Sequence, residues 1–320
     1  MRLPRRRGRR SVTSGRGLLW RVAGTVFVLA ALGFVVASLV RDADEVRAAV
    51  AELSISTLVA SFAAALVGLW CTSQAWRVLL RGLGHPVPVL AGAAVFFISQ
   101  LGKYVPGSVW PYVAQARLGT DLGVAPARSA QAGVTFVLLH LLTGMLVGIP
   151  RLLFGADLDA RFAWALLLVP AVLVLVHPAV TAALVRLAGR VMRIDVVPAA
   201  APWTSVAAAV GWLGATWVFY GLSLAALVAP LTPVDGATFV QLTSAYALAW
   251  SVGFVGAAVV VVAAPAGLGF REVALLTTLA GVVDTGAAAL VVLLSRVVMT
   301  LGDVTMAAVT ARAARSRTRS

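Results

Sequence analysis

Long apolar runs separated by short polar stretches set the pattern of this 320-residue chain. About 20 apolar residues in a helix are enough to cross the ~30 Å hydrocarbon core of a membrane. The predicted spans are Leu18–Val40, Ile55–Val78, Ala130–Ile149, Phe162–Val176, Val206–Val228 and Ala287–Val309. The Phe162 span is short, and we expect its helix to kink at His177-Pro178 and continue through Ala179–Ala188.

Two further apolar segments, Val89–Leu118 and Phe239–Ala280, are interrupted by glycine, proline and charge. The first interruption reads G-K-Y-V-P-G over Gly102–Gly107, and the second reads P-A-G-L-G-F-R-E over Pro265–Glu272. Irregular backbone and full charges are tolerated at membrane depth only where protein or a wet cavity surrounds them. Two such segments in matching halves of a chain point to the binding site of a transporter.

Basic residues in the polar stretches predict the orientation of the spans. Residues 1–21 hold eight arginines and no acid, and Arg312–Ser320 holds four more, whereas Arg41–Glu52 has four acids and two arginines. Nineteen basic residues then lie on the predicted cytoplasmic side and four on the other side. We therefore expect a multi-pass protein with both termini in the cytoplasm. The Ala/Val/Arg-rich amino-acid usage is typical of a GC-rich bacterial genome, so we expect the membrane to be a bacterial inner membrane.

With this orientation, one half of the chain is the other half turned over. The predicted fold is all-α and polytopic, with two inverted-topology repeats at about 53–150 and 203–310 and two re-entrant or broken helical hairpins. Phe239–Ala280 is also long enough for two full crossings. Residues 1–17 and 311–320 are predicted to be basic cytoplasmic tails that flank a single transmembrane domain, residues 18–310.

Composition supports a membrane protein, because 61% of the residues are hydrophobic and 12% are charged, against about 25% charged in soluble domains. The net charge of +14 is concentrated in the tails, which favours anionic lipid headgroups as partners and argues against nucleic acid. Cys71 is the only cysteine, which excludes an internal disulfide and a cysteine-based metal cluster. No cofactor or metal ion is expected.

The first interruption has the residues of an anion site. A half-helix that begins after Gly107 would point unpaired N–H groups into the membrane, and Lys103 adds a positive charge. Tyr104 and Trp110 suit the headgroup level, and Pro106 ends the preceding helix. We expect these residues to bind a phosphate; the alternative is a lysine that snorkels without a ligand.

The second interruption is its predicted counterpart. Gly267 and Gly269 allow an unwound crossing, and Arg271 and Glu272 open the next half-helix. An intramembrane glutamate costs several kcal/mol unless it is paired or protonated. Glu272 would receive a cationic headgroup or a proton while Arg271 or Lys103 holds phosphate. Alternatively, Glu272 forms an ion pair with Lys103 or Arg296 that only fastens the halves.

Three further polar residues fall within predicted spans. Arg296 and Asp303 are seven residues apart and so lie near one helical face. They either pair within the protein or line the cavity, and Arg296 is counted among the candidate substrate-binding residues. His140 could relay protons, although a single histidine on an apolar helix is more often a packing residue.

The two interruptions together resemble the lysylphosphatidylglycerol synthase transmembrane family, the flippase-like region of the multiple peptide resistance factor. The resemblance rests on G-K-Y-V-P-G-S-V-W at Gly102–Trp110 and P-A-G-L-G-F-R-E at Pro265–Glu272, and it covers Ile55–Val309. Ala266 replaces the first glycine of the family's P-G-G-x-G-x-x-E pattern. Full-length members add a soluble aminoacyl-transferase domain, for which this chain has no room, so that activity is not expected.

The resemblance implies lipid translocation across the bilayer. We expect a flippase-like transporter of an anionic, zwitterionic or polyprenyl-phosphate-linked lipid, not an enzyme. One alternative is a membrane scaffold or accessory subunit for a lipid-modifying or glycosyl-transferring enzyme. Another is an enzyme acting on lipid-linked sugars through Asp121, Asp157 or Asp159. Whether the chain forms a homo-oligomer or needs an enzyme partner stays open.

Overall fold

The computed structural model of the protein describes residues 43–104, 110–153, 170, 174, 177–192, 201–260 and 269–317. Regular structure within these residues is helical, without a β-strand. The predicted span Leu18–Val40 and most of Phe162–Val176 lie outside the described residues. The helix expected after His177-Pro178 is present and runs over Pro178–Met192.

Ten α-helices make up the described part of the chain. In order they are α1 (Ala43–Glu52), α2 (Ile55–Gly82), α3 (Val89–Gln100), α4 (Trp110–Gly119), α5 (Pro126–Leu153), α6 (Pro178–Met192), α7 (Trp203–Val228), α8 (Gly236–Val260), α9 (Phe270–Leu279) and α10 (Thr285–Arg317). Two 3₁₀ turns, Leu101–Tyr104 and Thr120–Leu122, follow α3 and α4.

Five of these helices contain a segment long and apolar enough to cross a membrane. The segments are Ile55–Gly82, Pro126–Leu152, Trp203–Val228, Gly236–Gly256 and Thr285–Ser316. Four of them contain the spans predicted to start at Ile55, Ala130, Val206 and Ala287. The protein is therefore an all-α, multi-pass membrane protein, as the apolar pattern predicted.

Side chains in the short connections determine where several helices begin. Ser54 accepts a hydrogen bond from the Thr57 N–H at 3.2 Å and so caps α2. Asp235 caps α8 in the same way, through a 2.8 Å bond from the Thr238 N–H, and this bond lowers the pKa of its carboxyl. By contrast, α3 begins after Pro88 without a side-chain cap.

The centre of the bundle is the contact between α2 and α7. A Cβ on Gly68 would lie 2.6 Å from the Tyr220 ring, so only glycine lets the two helices approach this closely. The Ser61 and Ser223 hydroxyls are hydrogen-bonded across the same interface at 3.0 Å. Close approach through a small residue, with an interhelical hydrogen bond, is how helices associate in lipid.

Other contacts also join the two halves of the chain. The helix α5 packs on α8, and α10 packs on α3. Each half therefore contributes one first helix, one interrupted segment and one last helix, and the interrupted segment of each half contacts the last helix of the other half. A two-fold relation would give this exchange, and the inverted orientation of the repeats stays a prediction.

The two interrupted segments differ in length. With a rise of 1.5 Å per residue, the 25 residues of α8 span about 37 Å, enough to cross the bilayer. The 12 residues of α3 span about 18 Å, and α4 and α9, with 10 residues each, span about 15 Å. The first segment thus consists of two short helices, whereas the second combines one long helix with one short helix.

Candidate functional site

The first interrupted segment leaves α3 through the 3₁₀ turn Leu101–Tyr104. At Gly102 an added Cβ would lie 2.9 Å from the Pro111 nitrogen and 3.0 Å from the Trp110 carbonyl carbon. Glycine is therefore required for the start of α4 to pack directly on the turn. This packing fixes the position of the next two residues, Lys103 and Tyr104.

Lys103 and Tyr104 both bind the same carboxylate oxygen on α10. The Lys103 Nζ lies 2.6 Å from Asp303 Oδ2, and the Tyr104 hydroxyl donates a hydrogen bond to that oxygen, also at 2.6 Å. The Asp303 side chain is 3% exposed, whereas that of Lys103 is 31% exposed. The Asp303 carboxylate is thus buried, whereas the Lys103 side chain that pairs with it is partly exposed.

The second interrupted segment restarts as α9 at Phe270, and Gly269 precedes this helix with φ +95°. Only glycine adopts this conformation without strain. Glu272, in the first turn, reaches back to accept the Gly269 N–H on Oε2 at 2.7 Å. Its other oxygen, Oε1, lies 3.2 Å from Arg296 NH1. The glutamate therefore binds both the start of its own helix and α10.

Arg271 extends away from that carboxylate toward neutral groups. Its NH2 donates to the Tyr246 hydroxyl at 3.0 Å and to Ser295 Oγ at 3.1 Å, and its guanidinium carbon lies 5.0 Å from the centroid of the Tyr246 ring. Among the described residues its Nε has no hydrogen-bond partner. The absence of a side chain at Gly253 makes room for Arg271, because a Cβ there would lie 2.7 Å from Arg271 Cβ.

The helix α10 contacts both interrupted segments through one face. Ser295 and Arg296 bind the second segment, and Asp303 binds the first. Seven residues of rise place Arg296 and Asp303 about 10 Å apart along the helix axis. Both pair within the protein, each with a residue of an interrupted segment.

His140 lies beside this polar region in an aromatic surrounding. Its ring centroid is 4.1 Å from that of Trp250, 4.9 Å from that of Trp217 and 5.3 Å from that of Phe136. Within the described part of the chain its Nε2 has no hydrogen-bond partner. These contacts are those of a packing residue, and a proton relay through His140 stays a prediction.

The structure brings most of the predicted site residues to one side of α10. Lys103 and Tyr104 meet there through Asp303, and Gly269 and Glu272 meet there through Arg296. Trp110, the first residue of α4, is half-exposed and contacts the turn at Gly102. Pro106, Gly107 and Gly267 lie outside the described residues. Of the two ion pairs considered for Glu272, the one with Arg296 is formed, and Lys103 pairs with Asp303 instead.

Three residues of the site were not among the predicted ones. Asp303 was considered only for pairing or cavity lining, although a carboxylate inside an apolar helix is itself a strong indication of a site. Tyr246 and Ser295 carry no such indication, because hydroxyls are common in membrane helices. Their part in holding Arg271 depends on the packing of α8 and α10.

The family model for the lysylphosphatidylglycerol synthase TM region matches residues 21–306, nearly the whole chain. The chain belongs to this family. No curated protein matches the chain. Both interrupted segments and α10 up to Asp303 fall within the matched residues, so the polar contacts described above lie in the region that this lysylphosphatidylglycerol synthase TM family shares. Membership supports a membrane role related to lipid.

Proposed function

We propose that the chain is a flippase-like transporter that moves a phosphate-bearing lipid between the leaflets of a bacterial inner membrane, with both termini in the cytoplasm. The lipid is anionic, zwitterionic or polyprenyl-phosphate-linked. Its headgroup passes through the polar contacts between the interrupted segments and α10, while its acyl or prenyl tails stay in the bilayer. The proposal assigns transport rather than catalysis to the chain.

The observation that carries the proposal is the buried guanidinium of Arg271. Taking a cation out of water costs several kcal/mol unless an anion or several hydrogen bonds compensate it. Among the described residues, the Arg271 guanidinium contacts two neutral hydroxyls and the face of an aromatic ring, and its Nε–H has no acceptor there. A phosphate would supply the missing acceptor and an anion in direct contact with the guanidinium.

The surroundings support a phosphate rather than a fixed ion pair. Arg271 lies in the first turn of α9, where the helix dipole and the unpaired N–H groups favour negative charge. The three cations Lys103, Arg271 and Arg296 accompany two carboxylates, Asp303 and Glu272, so the region carries one excess positive charge. Uncompensated charge at membrane depth is uncommon unless it serves a substrate.

The test is translocation of headgroup-labelled lipids in proteoliposomes. Wild type is compared with Arg271→Gln, which removes the charge but keeps hydrogen-bonding capacity, across phosphatidylglycerol, phosphatidylethanolamine and a polyprenyl phosphate. We expect the wild type to move at least one of these lipids. The Arg271→Gln variant should be slower by more than about tenfold, because losing a buried charge contact costs about 1.4 kcal/mol or more in binding free energy. Lys103→Ala and Glu272→Ala should also lose activity.

Arg151→Gln is the matched control. Arg151 is a partly buried arginine on α5 that binds the other end of α9, donating to the Thr278 and Ala280 carbonyls at 2.8 and 3.2 Å. This variant should keep translocation. Equal loss in both arginine variants would show a requirement for an intact α9 instead of a charge at the site. Absence of transport for every lipid would favour a scaffold or accessory subunit for a lipid-modifying enzyme.

A further inference from the structure

The carboxylate of Glu272 holds the donors that an anionic ligand would use. One oxygen accepts the Gly269 N–H at the start of α9, and the other accepts Arg296 NH1. A backbone N–H at a helix N-terminus together with an arginine is a common way to bind phosphate oxygens. The side chain is buried, so the contact takes place away from water.

Arg271 provides independent evidence that these donors serve a ligand. It is 7% exposed, its Nε has no partner among the described residues, and it follows Gly269 by two positions. The buried guanidinium of Arg271 and the partly buried one of Arg296 therefore accompany the single carboxylate of Glu272. A helix cap alone needs neither of them, and the excess positive charge favours a second anion.

The geometry points to Glu272 as an internal occupant of the anion site, which the phosphate of the transported lipid replaces at the Gly269 N–H and at Arg296. This inference rests on the transport function proposed above. When the phosphate leaves, the Glu272 carboxylate returns. Throughout the exchange the donors keep an anionic acceptor, so neither state leaves them unsatisfied.

A fixed cap would behave differently. If Glu272 only fastened α9 to α10, its carboxylate would stay in place while lipid binds, and the phosphate would not contact the Gly269 N–H or replace Glu272 at Arg296. If it competes with phosphate, removing its charge makes phosphate binding stronger. Absence of such a gain therefore excludes competition, and the position of Glu272 with phosphate bound separates a displaced carboxylate from a fixed one.

The experiment measures binding of dihexanoyl phosphatidylglycerol to the purified full chain by isothermal titration calorimetry. Dihexanoylglycerol, which has the same tails and no phosphate, is the ligand control. We expect Glu272→Gln to bind the phosphate probe about tenfold more tightly than wild type, since a neutral amide competes less well for charged donors. Binding of the phosphate-free probe should not change.

Glu52→Gln is the matched control variant. Glu52 is an exposed glutamate at the end of α1, so this change removes the same formal charge from the chain but leaves the site intact. Its affinity for both probes should equal that of wild type. A gain in both glutamate variants would reflect net charge and would overturn the inference.

Two results separate this inference from the proposed function. If wild type binds and translocates phosphatidylglycerol but Glu272→Gln binds it equally or more weakly, the internal-occupant role is wrong and transport stands. If neither protein binds the probe and no lipid is moved, both proposals fail together.

A structure of the wild type with the phosphate probe gives a test that does not depend on how well the variant folds. We expect a phosphate oxygen within hydrogen-bond distance of the Gly269 nitrogen and of Arg296, with Glu272 turned away. A phosphate bound elsewhere, with the contacts of Glu272 unchanged, would overturn the inference.

Discussion

The two interrupted segments solve the same electrostatic problem with different degrees of burial. In the first, Lys103 meets Asp303 through a side chain that is still one-third exposed. In the second, Arg271 and Glu272 are both buried and are held by residues of α8 and α10. A partly exposed cation can exchange its partner for water, whereas a buried one needs a replacement of the same kind. The second segment is thus the better place for selective binding.

The largest effect is expected from the ion pair of the first segment, and it should depend on which partner is removed. Lys103→Met leaves the buried Asp303 carboxylate with only the Tyr104 hydroxyl, at a cost of about 3 kcal/mol in the free energy of unfolding. Asp303→Asn leaves the partly exposed Lys103 without its carboxylate partner, at a cost of about 1 kcal/mol in the free energy of unfolding. Unfolding in mixed detergent micelles measures both.

The double variant Lys103→Met with Asp303→Asn is the control for that asymmetry. It removes both charges and should recover most of the stability that Lys103→Met loses, because no buried charge is left alone. Equal losses in the two single variants would mean that both ends of the pair are equally shielded, and would remove the distinction between the segments.

Close packing in the second segment should make it sensitive to a single methyl group. Gly253→Ala places a Cβ 2.7 Å from Arg271 Cβ and 3.2 Å from its Cα, so α8 and α9 must move apart, at a net cost of about 2 kcal/mol. Gly214→Ala on α7 is the matched control, because nothing lies within 4 Å of its Cβ and alanine favours a helix. The melting temperature should fall in the first variant and stay or rise in the second.

Smaller effects should distinguish the two tyrosines of the site. Tyr246→Phe leaves an N–H of the buried Arg271 without an acceptor and should cost about 1.5 kcal/mol. Tyr104→Phe should cost less than about 1 kcal/mol, because Asp303 Oδ2 keeps its contact with Lys103. The measurement is again the free energy of unfolding. The reverse order would mean that the first segment is the more tightly held one.

The smallest effect concerns the N-terminal caps of α8 and α3, the first helices of the two interrupted segments. The bond from the Thr238 N–H lowers the pKa of Asp235, so its contribution to α8 is present at neutral pH and is lost as the pH falls through the lowered value. Wild type should therefore lose slightly more stability on acidification to pH 3 than Asp235→Asn, whose amide caps the helix without titrating. Thermal unfolding at several pH values measures this difference, and α3, which lacks a side-chain cap, offers no equivalent site.

The apolar pattern and the placement of charges were enough to predict the class of fold and half of the site. Four of the five helices long enough to cross a membrane follow from run length alone, and Lys103, Arg271 and Glu272 stood out because charge is costly in an apolar segment. The partners could not be predicted. The bond between Tyr104 and Asp303 joins residues 199 positions apart, and which carboxylate meets which cation depends on how α10 packs.

The aromatic and hydroxyl residues around Arg271 were beyond prediction for a different reason. Tyr246 and Ser295 belong to ordinary membrane helices, and their role arises only because Gly253 allows α9 to approach. The hydrophobic pattern determines where a helix forms and how long it is. The rotation of one helix against another is decided by contacts between particular side chains and leaves little trace in the pattern.

A single continuous helix, α10, carries the partner of each interrupted segment on one face. Arg296 and Asp303 are fixed in one rod, so they cannot move independently of each other. A displacement of that rod by one helical turn, about 5.4 Å, would withdraw the partner of both segments at the same moment. The two halves would then open and close together, because both interrupted segments depend on the position of the last helix.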